Sequence, residues 1–403
     1  MRTMIHWLNA RFPLISTWRA HFSAYDAPKN FNFFYFFGSL ALLVLVIQLV
    51  SGLWLTMFYT PTIKEAFHSV EYIMRDVSYG WFIRYLHSTG ASAFFIVIYL
   101  HLFRALLYGS YQKPRELVWL IGMVLFILLL AEAFFGYLLP WGQLSYWGAQ
   151  VITSLFSAIP WVGDTVVAFI RGDYYVGDPT LHRFFAFHVV AVPLLLIFLV
   201  YLHIVALHHV GSNNPEGIDI TLQLDATGRP LDAVSFHPYY TVKDLFGAVV
   251  FLFFFFAVLF FIPDFGGYFL EHANFAPADP LVTPAHISPV WYMTPFYAML
   301  RAIPNKLFGV VTMGSAILIF FFLPWLDRSS VRSMRYKGPF SKIALCLGVI
   351  SFCLLGYLGT VDVTPIKVLL ARLGTFLYFA YFILMPIYSR LEPTRVVPDR
   401  ILT

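Results

Sequence analysis

The chain has 403 residues, of which 60% are hydrophobic and only 12% charged, and its mean hydropathy is +0.74. A soluble domain carries roughly 25% charged residues, so most of this surface faces lipid or other apolar helices, and a soluble enzyme or binding module is excluded. The formal charge of +5 belongs with the basic inner-side loops of a membrane protein rather than with nucleic acid.

Residues 1–32 open MRTMIHWLNARFPL, without the long apolar core and small-residue cleavage site of a removable signal peptide, and read as a cytoplasmic N-terminal segment. Stretches of the roughly 20 residues needed to cross a bilayer then fall near 33–59, 81–108, 117–139, 184–207, 245–263, 308–326, 340–358 and 366–387. The first holds Gly38 and Gly52, fourteen residues apart. The second contains HSTGASAFFIVIYLH, closed by His87 and His101, again fourteen apart, with Arg84 one turn before and Arg104 one turn after. The third holds Gly122 and Gly136, the same distance apart, and one acid, Glu132. After an outer loop over 140–183, the fourth contains HVVAVPLLLIFLVYLH, which places His188 and His203 fifteen apart. Residues 33–210 thus read as a four-helix bundle, followed by a cytoplasmic connecting loop over 211–244. A C-terminal four-helix region, 245–390, contains the long, proline-rich outer loop 263–307; long ordered loops usually have a function. Cys346 and Cys353 are seven apart, two helical turns, and read as one buried face rather than a disulfide framework or a CxxCH attachment. Residues 391–403 form a cytoplasmic tail. There is no low-complexity tract and no inverted repeat of the kind that marks many transporters.

Eight spans put both termini on one side, and that side holds 17 of the 26 Lys and Arg, most densely in DRSSVRSMRYKGPFSK. The positive-inside rule therefore makes it the cytoplasm. The second and fourth spans then run parallel, with His87 and His188 near the outer surface and His101 and His203 near the inner one. Fourteen helical residues turn to about 40° short of four full turns and fifteen to about 60° past, over a rise of roughly 21 to 22 Å. Each helix therefore shows both histidines on one face, and two facing helices make two stacked bis-imidazole sites. Imidazole suits zinc, copper and iron, but a dry pair of imidazoles with no other donor nearby points to haem iron. A satisfied core histidine explains one such residue on one helix; it does not explain four that pair by depth. The matching glycine pairs would let two flat macrocycles approach the other two helices, although each pair alone is ordinary helix packing. Arg84 and Arg104 are placed to meet haem propionates, with interfacial snorkelling as the alternative for each.

RYLHSTGAS, FFGYLLPWGQLSYWGAQVIT, SAIPWVG, RFFAFHVV, LHHVGSNNPEG, HPYYTVKD, TPAHISPVWY and LRAIPNK resemble, in order, the blocks of the cytochrome b family, over about residues 28 to 390. That family is the catalytic core of respiratory cytochrome bc complexes (complex III). The resemblance implies quinol oxidation near the outer surface, one electron going to a Rieske iron–sulfur protein and one inward through two b haems to a quinone. It implies His87 and His188 on the low-potential haem and His101 and His203 on the high-potential one. Ser39, His208, Lys243 and Asp244 match positions around the inner quinone-reduction site. His208 and Asp244 would deliver protons there, because quinone reduction consumes them. Tyr137, Gly148, Ile152, Pro289, Trp291, Tyr292 and Tyr297 match the outer quinol pocket, whose apolar and aromatic walls suit a quinone headgroup. Implied partners are the iron–sulfur protein, a cytochrome c-type haem subunit, a second copy of the complex and membrane lipid. Eight spans in one chain favour the respiratory type over photosynthetic relatives divided between two chains. Together with the absent targeting peptide, this suits a bacterial inner (plasma) membrane.

Two positions depart from the family. Mitochondrial members have fourteen residues between the second pair of haem ligands, where this chain has fifteen. The motif Pro-Glu-Trp-Tyr, whose glutamate is assigned to carry a proton from the quinol, reads Pro289-Val290-Trp291-Tyr292 here. Glu132, one turn before Gly136, is the expected substitute in proton exit, with Glu271, His272 and Asp279 of the outer loop as rivals. Two other functions compete with the quinone-cycling subunit. A di-haem membrane anchor for another dehydrogenase or reductase would have no reason for the 263–307 loop. A cofactor-free transporter leaves the paired histidines unexplained.

Overall fold

The computed structural model describes residues 2–13, 15 and 25–401. Among them eight helices are long and apolar enough to cross a membrane: Phe33–Thr56, Gly80–Tyr108, Glu116–Leu138, Asp178–Val210, Phe236–Phe261, Lys306–Leu326, Pro339–Thr360 and Pro365–Ile383. Local chemistry sets several of their ends. Gly109, at φ 64°, closes the second span with a left-handed cap. The Asn305 and Thr364 side chains accept the N–H groups of Phe308 and Lys367 where the sixth and eighth spans begin. Pro339 and Pro365 occupy first-turn positions, where a missing N–H loses no helical bond.

Four features differ from the sequence reading. The fifth helix starts at Phe236 rather than 245, so Lys243 and Asp244 lie on its inner turns instead of in the connecting loop. Its polar opening turns, with Pro238 among them, hide it from a count of apolar residues. The fourth helix begins at Asp178 and passes through a π turn, Phe187–Ala191, before continuing as Val192–Val210. Pro193 follows that turn and has no N–H to return to the preceding one. A π turn takes one extra residue into a helix, which absorbs the fifteenth residue between His188 and His203. The last apolar run breaks at Leu384, and Met385–Leu391 forms a separate helix with Pro386 in its first turn. Cys346 and Cys353 are free and exposed rather than buried. In a membrane span an apolar face serves lipid as well as core, so periodicity alone does not separate the two.

The inner-side loops are fastened by charge. Asp26–Pro28 pairs antiparallel with Ala233–Ser235, Asp26 opposite Ser235. Beside that clip Asp232 binds Lys29 at 3.1 Å and Arg400 at 2.9 Å. Burial pushes the Asp232 carboxyl up, but hydrogen bonds from Arg400, the Ile401 N–H and Lys29 outweigh it and hold the group at about 2. Lys337, within the basic stretch, is almost wholly buried and pairs with Asp327, which also accepts from Tyr111 at 2.6 Å and Gln112 at 2.8 Å. That cation is internal and faces no lipid headgroup.

The main apolar core joins the second and third spans to the C-terminal helices through Phe95, Phe126, Tyr292, Phe296, Leu355 and Phe382. The N-terminal four helices are built differently. The first packs along the second and the third along the fourth. Protein buries only 11% of the fourth span's apolar window, against 33% of the third's. Where the two helix pairs face each other, they present histidines and glycines.

Candidate functional site

Each of the four histidines lies over the glycine at its own depth on the neighbouring helix. A methyl group built on Gly52 would come within 2.9 Å of the His87 ring, and one on Gly136 within 2.3 Å of His188. At the inner level the corresponding approaches are 3.5 Å for Gly38 and His101 and 3.2 Å for Gly122 and His203. The His87 and His188 rings meet edge to face, with centroids 6.0 Å apart and planes at 89°. His87 and His188, paired by depth, thus meet directly, and His101 and His203 are close enough for one to act electrostatically on the other.

Hydrogen-bond acceptors surround the outer imidazoles. Ser51 Oγ is 3.0 Å from His87 Nδ1. His188 Nδ1 lies 3.0 Å from both the Glu132 carbonyl and the Glu132 carboxylate. That carbonyl is four residues before Gly136, and the same relation sets the Gln48 carbonyl against His87 and the Val118 carbonyl against His203. Glu132, expected on a proton exit path, has its carboxylate against a histidine instead. Its face of the helix is as expected; the side-chain direction is what the sequence lacked.

The donor set at each level fits haem. Among the described residues no three His, Cys, Asp or Glu side chains gather as a metal site, so each level offers two imidazoles and glycine walls that any Cβ would narrow. Arg104 Nε is buried with no hydrogen-bond partner, and His101 Nδ1 is likewise unpartnered among the described residues. The Arg104 guanidinium sits 4.7 Å over the Tyr35 ring, close enough for its charge to act on both inner histidines. Arg84 acts on His87 in the same way. A buried cation beside a bis-imidazole site is what a macrocycle bearing carboxylates requires.

At the inner end, the Ser39 and Asp244 side chains hydrogen-bond across the first and fifth spans. Lys243 Nζ donates to Tyr239 OH at 2.9 Å and lies over its ring. His208 stacks on Tyr25 at 4.5 Å, and Tyr25 OH is 2.9 Å from Ser212 Oγ. Sequence reasoning did not single out Tyr25, because it precedes the first span and carries no motif.

At the outer end, Tyr137 OH donates to Glu271 Oε2 at 3.0 Å and accepts from Asn274 Nδ2 at 2.9 Å. A methyl on Gly148 would touch Tyr137 at 3.7 Å, and Ile152 lies one turn further along the same helix, Gln143–Ser154. Tyr292 stacks on Phe95 at 3.7 Å, and its carbonyl accepts from Tyr99 OH at 2.5 Å. Trp291 Nε1 donates to Ser92 Oγ at 3.0 Å. Trp291 and Tyr292 also line a cavity of about 820 Å³ with Tyr99, Tyr268, Phe269 and Phe296. Pro289 is half-buried in the loop before them, and Tyr297 OH donates to the Ile287 carbonyl at 3.1 Å. Burial pushes the Glu271 carboxyl up to about 7, against the lowering hydrogen bonds of its backbone and Tyr137. Burial and the neighbouring Glu271 and Tyr99 raise the Tyr292 phenol.

Comparison with known proteins places the chain in a family. Residues 22–211 match the family model described as cytochrome b/b6/petB, and residues 277–379 match that for the C-terminal part, cytochrome b(C-terminal)/b6/petD. Cytochrome b of Allochromatium vinosum is 60% identical, over 98% of each chain. Cytochrome b of Rickettsia prowazekii is 48% identical over 98% of this chain and 96% of its own, and that of Yarrowia lipolytica 49% over 91% of each. A solved chain titled hyperthermophilic respiratory Complex III superposes with a TM-score of 0.88 at 38% identity, covering 96% of this chain and 99% of its own.

Proposed function

The chain belongs to the cytochrome b family, and on that footing we propose that it oxidises quinol near the outer membrane surface, conducts one electron inward through two b haems, and reduces quinone near the inner surface. It is an integral membrane subunit of a ubiquinol–cytochrome c reductase. His87 and His188 would hold the outer, low-potential haem and His101 and His203 the inner, high-potential one. Gly52, Gly136, Gly38 and Gly122 would admit the macrocycles, and Arg84 and Arg104 would meet their propionates. A bound haem supplies a one-electron carrier at each level. The other electron from each quinol goes to the Rieske iron–sulfur protein of the complex and on to its cytochrome c-type subunit, in a dimer set in a bacterial inner membrane with both termini cytoplasmic.

The protein's own part is positional and protonic. Trp291, Tyr292, Pro289 and Tyr297, with Tyr137, Gly148 and Ile152, exclude water around the quinol and orient its ring. Asp244, held by Ser39, and His208, stacked on Tyr25, supply protons where quinone reduction consumes them. Lys243, which donates to Tyr239 at 2.9 Å, would meet the quinone at the same site.

One observation carries the reading: four histidines, each over a glycine of the neighbouring helix, at two depths. Reduced-minus-oxidised spectra of single variants test it. His87→Leu or His188→Leu should remove the low-potential component alone, and His101→Leu or His203→Leu the high-potential one. Loss of the high-potential component from His87→Leu would invert the assignment. Turnover sensitive to separate outer-site and inner-site quinone inhibitors would exclude a di-haem anchor serving another enzyme.

A further inference from the structure

Resting on the quinol-oxidation reading above, we propose that Glu271 is the carboxylate that accepts a quinol proton at the outer site, the role that Val290 leaves open. Val290 is buried and apolar. Glu271 arrives from the other end of the same loop, two residues after Phe269, which with Tyr268 lines the cavity beside Trp291 and Tyr292. Its Oε2 accepts from Tyr137 OH at 3.0 Å, and its charge acts on both Tyr137 and Tyr292.

The placement is built into the loop. Asn274, three residues on, donates to Tyr137 OH at 2.9 Å and accepts the Ser145 N–H at 2.7 Å through its amide oxygen. The Ala276 carbonyl accepts Gln143 N–H at 3.0 Å, and Ala278 N–H donates to the Trp141 carbonyl at 3.0 Å. The segment from Glu271 to Ala278 is thus stapled to the turn that ends the third span, with the carboxylate held under the Tyr137 hydroxyl.

The competing acids are engaged elsewhere. Glu132 meets His188. Asp279 is exposed and accepts the Leu281 N–H at 2.8 Å. Asp264 pairs with His272 at 3.1 Å on the outer face of the loop. Asp362 pairs with His286 at 3.3 Å. The titratable groups facing Glu271 are Tyr137 from the third span and Tyr292 from the loop. With its pKa pushed up to about 7 by burial, the group is a base near neutrality and returns its proton readily. Oxidation breaks two quinol O–H bonds and removes two electrons. One proton passes to Glu271 and then to outer water; the other passes to outer water as the iron–sulfur protein takes the first electron. The second electron goes to the outer haem, and quinone is left.

The test uses the assembled complex in native membranes, with an inner-site inhibitor present so that quinol-driven reduction of the b haems, which collects on the high-potential one, reports the outer reaction alone. In wild type that rate should rise with pH through about 7 as Glu271 loses its proton. Glu271→Gln should lower the rate about 100-fold, the low end for a positioned base, and abolish this rise while keeping both haem components. A wild-type rate and pH profile in Glu271→Gln would overturn the inference. If that variant loses its haems, Tyr137→Phe decides. Removing the hydrogen bond that lowers the Glu271 pKa should move the rise to higher pH, and an unmoved rise would overturn the inference. A wild type lacking haem components or inhibitor-sensitive quinol oxidation would instead reject the proposed function itself.

Discussion

At the outer level a methyl on Gly136 or Gly52 would meet an imidazole at 2.3 or 2.9 Å, whereas at the inner level Gly122 and Gly38 leave 3.2 and 3.5 Å. The outer imidazoles also have more partners. Ser51 lies at His87, and the Glu132 carbonyl and carboxylate lie at His188; inside, His101 Nδ1 has none among the described residues, and the buried cation of Arg104 stands near both rings. The two levels repeat one spacing in sequence and differ in their surroundings. Acceptors on a ligand histidine raise its basicity and favour oxidised iron, and a nearby cation opposes that. On the proposed haem assignment these acceptors would lower the outer potential relative to the inner one, with Arg84 beside His87 acting against them.

The largest expected break in this comparison is steric. Gly136→Ala puts a methyl where the His188 ring stands, and the neighbour is a ligand confined between helices rather than a free side-chain end. It should abolish most of the low-potential component in difference spectra. Gly38→Ala makes only ordinary van der Waals contact with His101 and should cost the high-potential component much less of its amplitude. Equal losses from the two substitutions would erase the distinction between the levels.

Next comes the proposed proton donor of the inner site, Asp244. Asp244→Asn keeps the shape beside Ser39 and removes the titratable group. Reoxidation of the high-potential haem by quinone should slow about 100-fold, the lower end for a positioned proton donor. Reduction of the b haems by quinol from the outer site, measured with the inner site blocked, should stay within twofold of wild type, taking roughly 0.4 kcal/mol as the smallest resolvable barrier change. A parallel fall in both rates would make Asp244 a structural group.

Residues that act through local period are legible in the sequence alone. The eight spans follow from apolar length, and the histidine and glycine faces follow from helical rotation. What escaped were features set by long-range partners or by backbone irregularity. The π turn at Phe187–Ala191 leaves no mark in composition beyond Pro193, yet it aligns His188 with His203. The start of the fifth helix at Phe236 was concealed by its polar turns. Glu271 and Tyr137 are 134 residues apart in sequence, and nothing local distinguishes Glu271 from Asp279. The face of Glu132 could be read from spacing, but its rotamer could not, and the rotamer decides between water and an imidazole.

That rotamer gives the smallest and most specific test. Glu132→Gln retains the backbone carbonyl that faces His188 at 3.0 Å and a side chain of the same length, so the ligand should stay in place and the low-potential component should keep its amplitude. What changes is charge. A carboxylate 3.0 Å from the ligand nitrogen favours oxidised iron, and its removal should raise the outer potential by about 60 mV, a tenfold change for a one-electron couple. The inner haem serves as the internal reference, because Glu132 touches neither His101 nor His203. A redox titration that moves the outer midpoint upward and leaves the inner one fixed would confirm Glu132 as a positioning and tuning residue. An unmoved outer midpoint would mean that the carbonyl alone orients His188, and a slowed outer-site rate at unchanged midpoint would return Glu132 to the proton path.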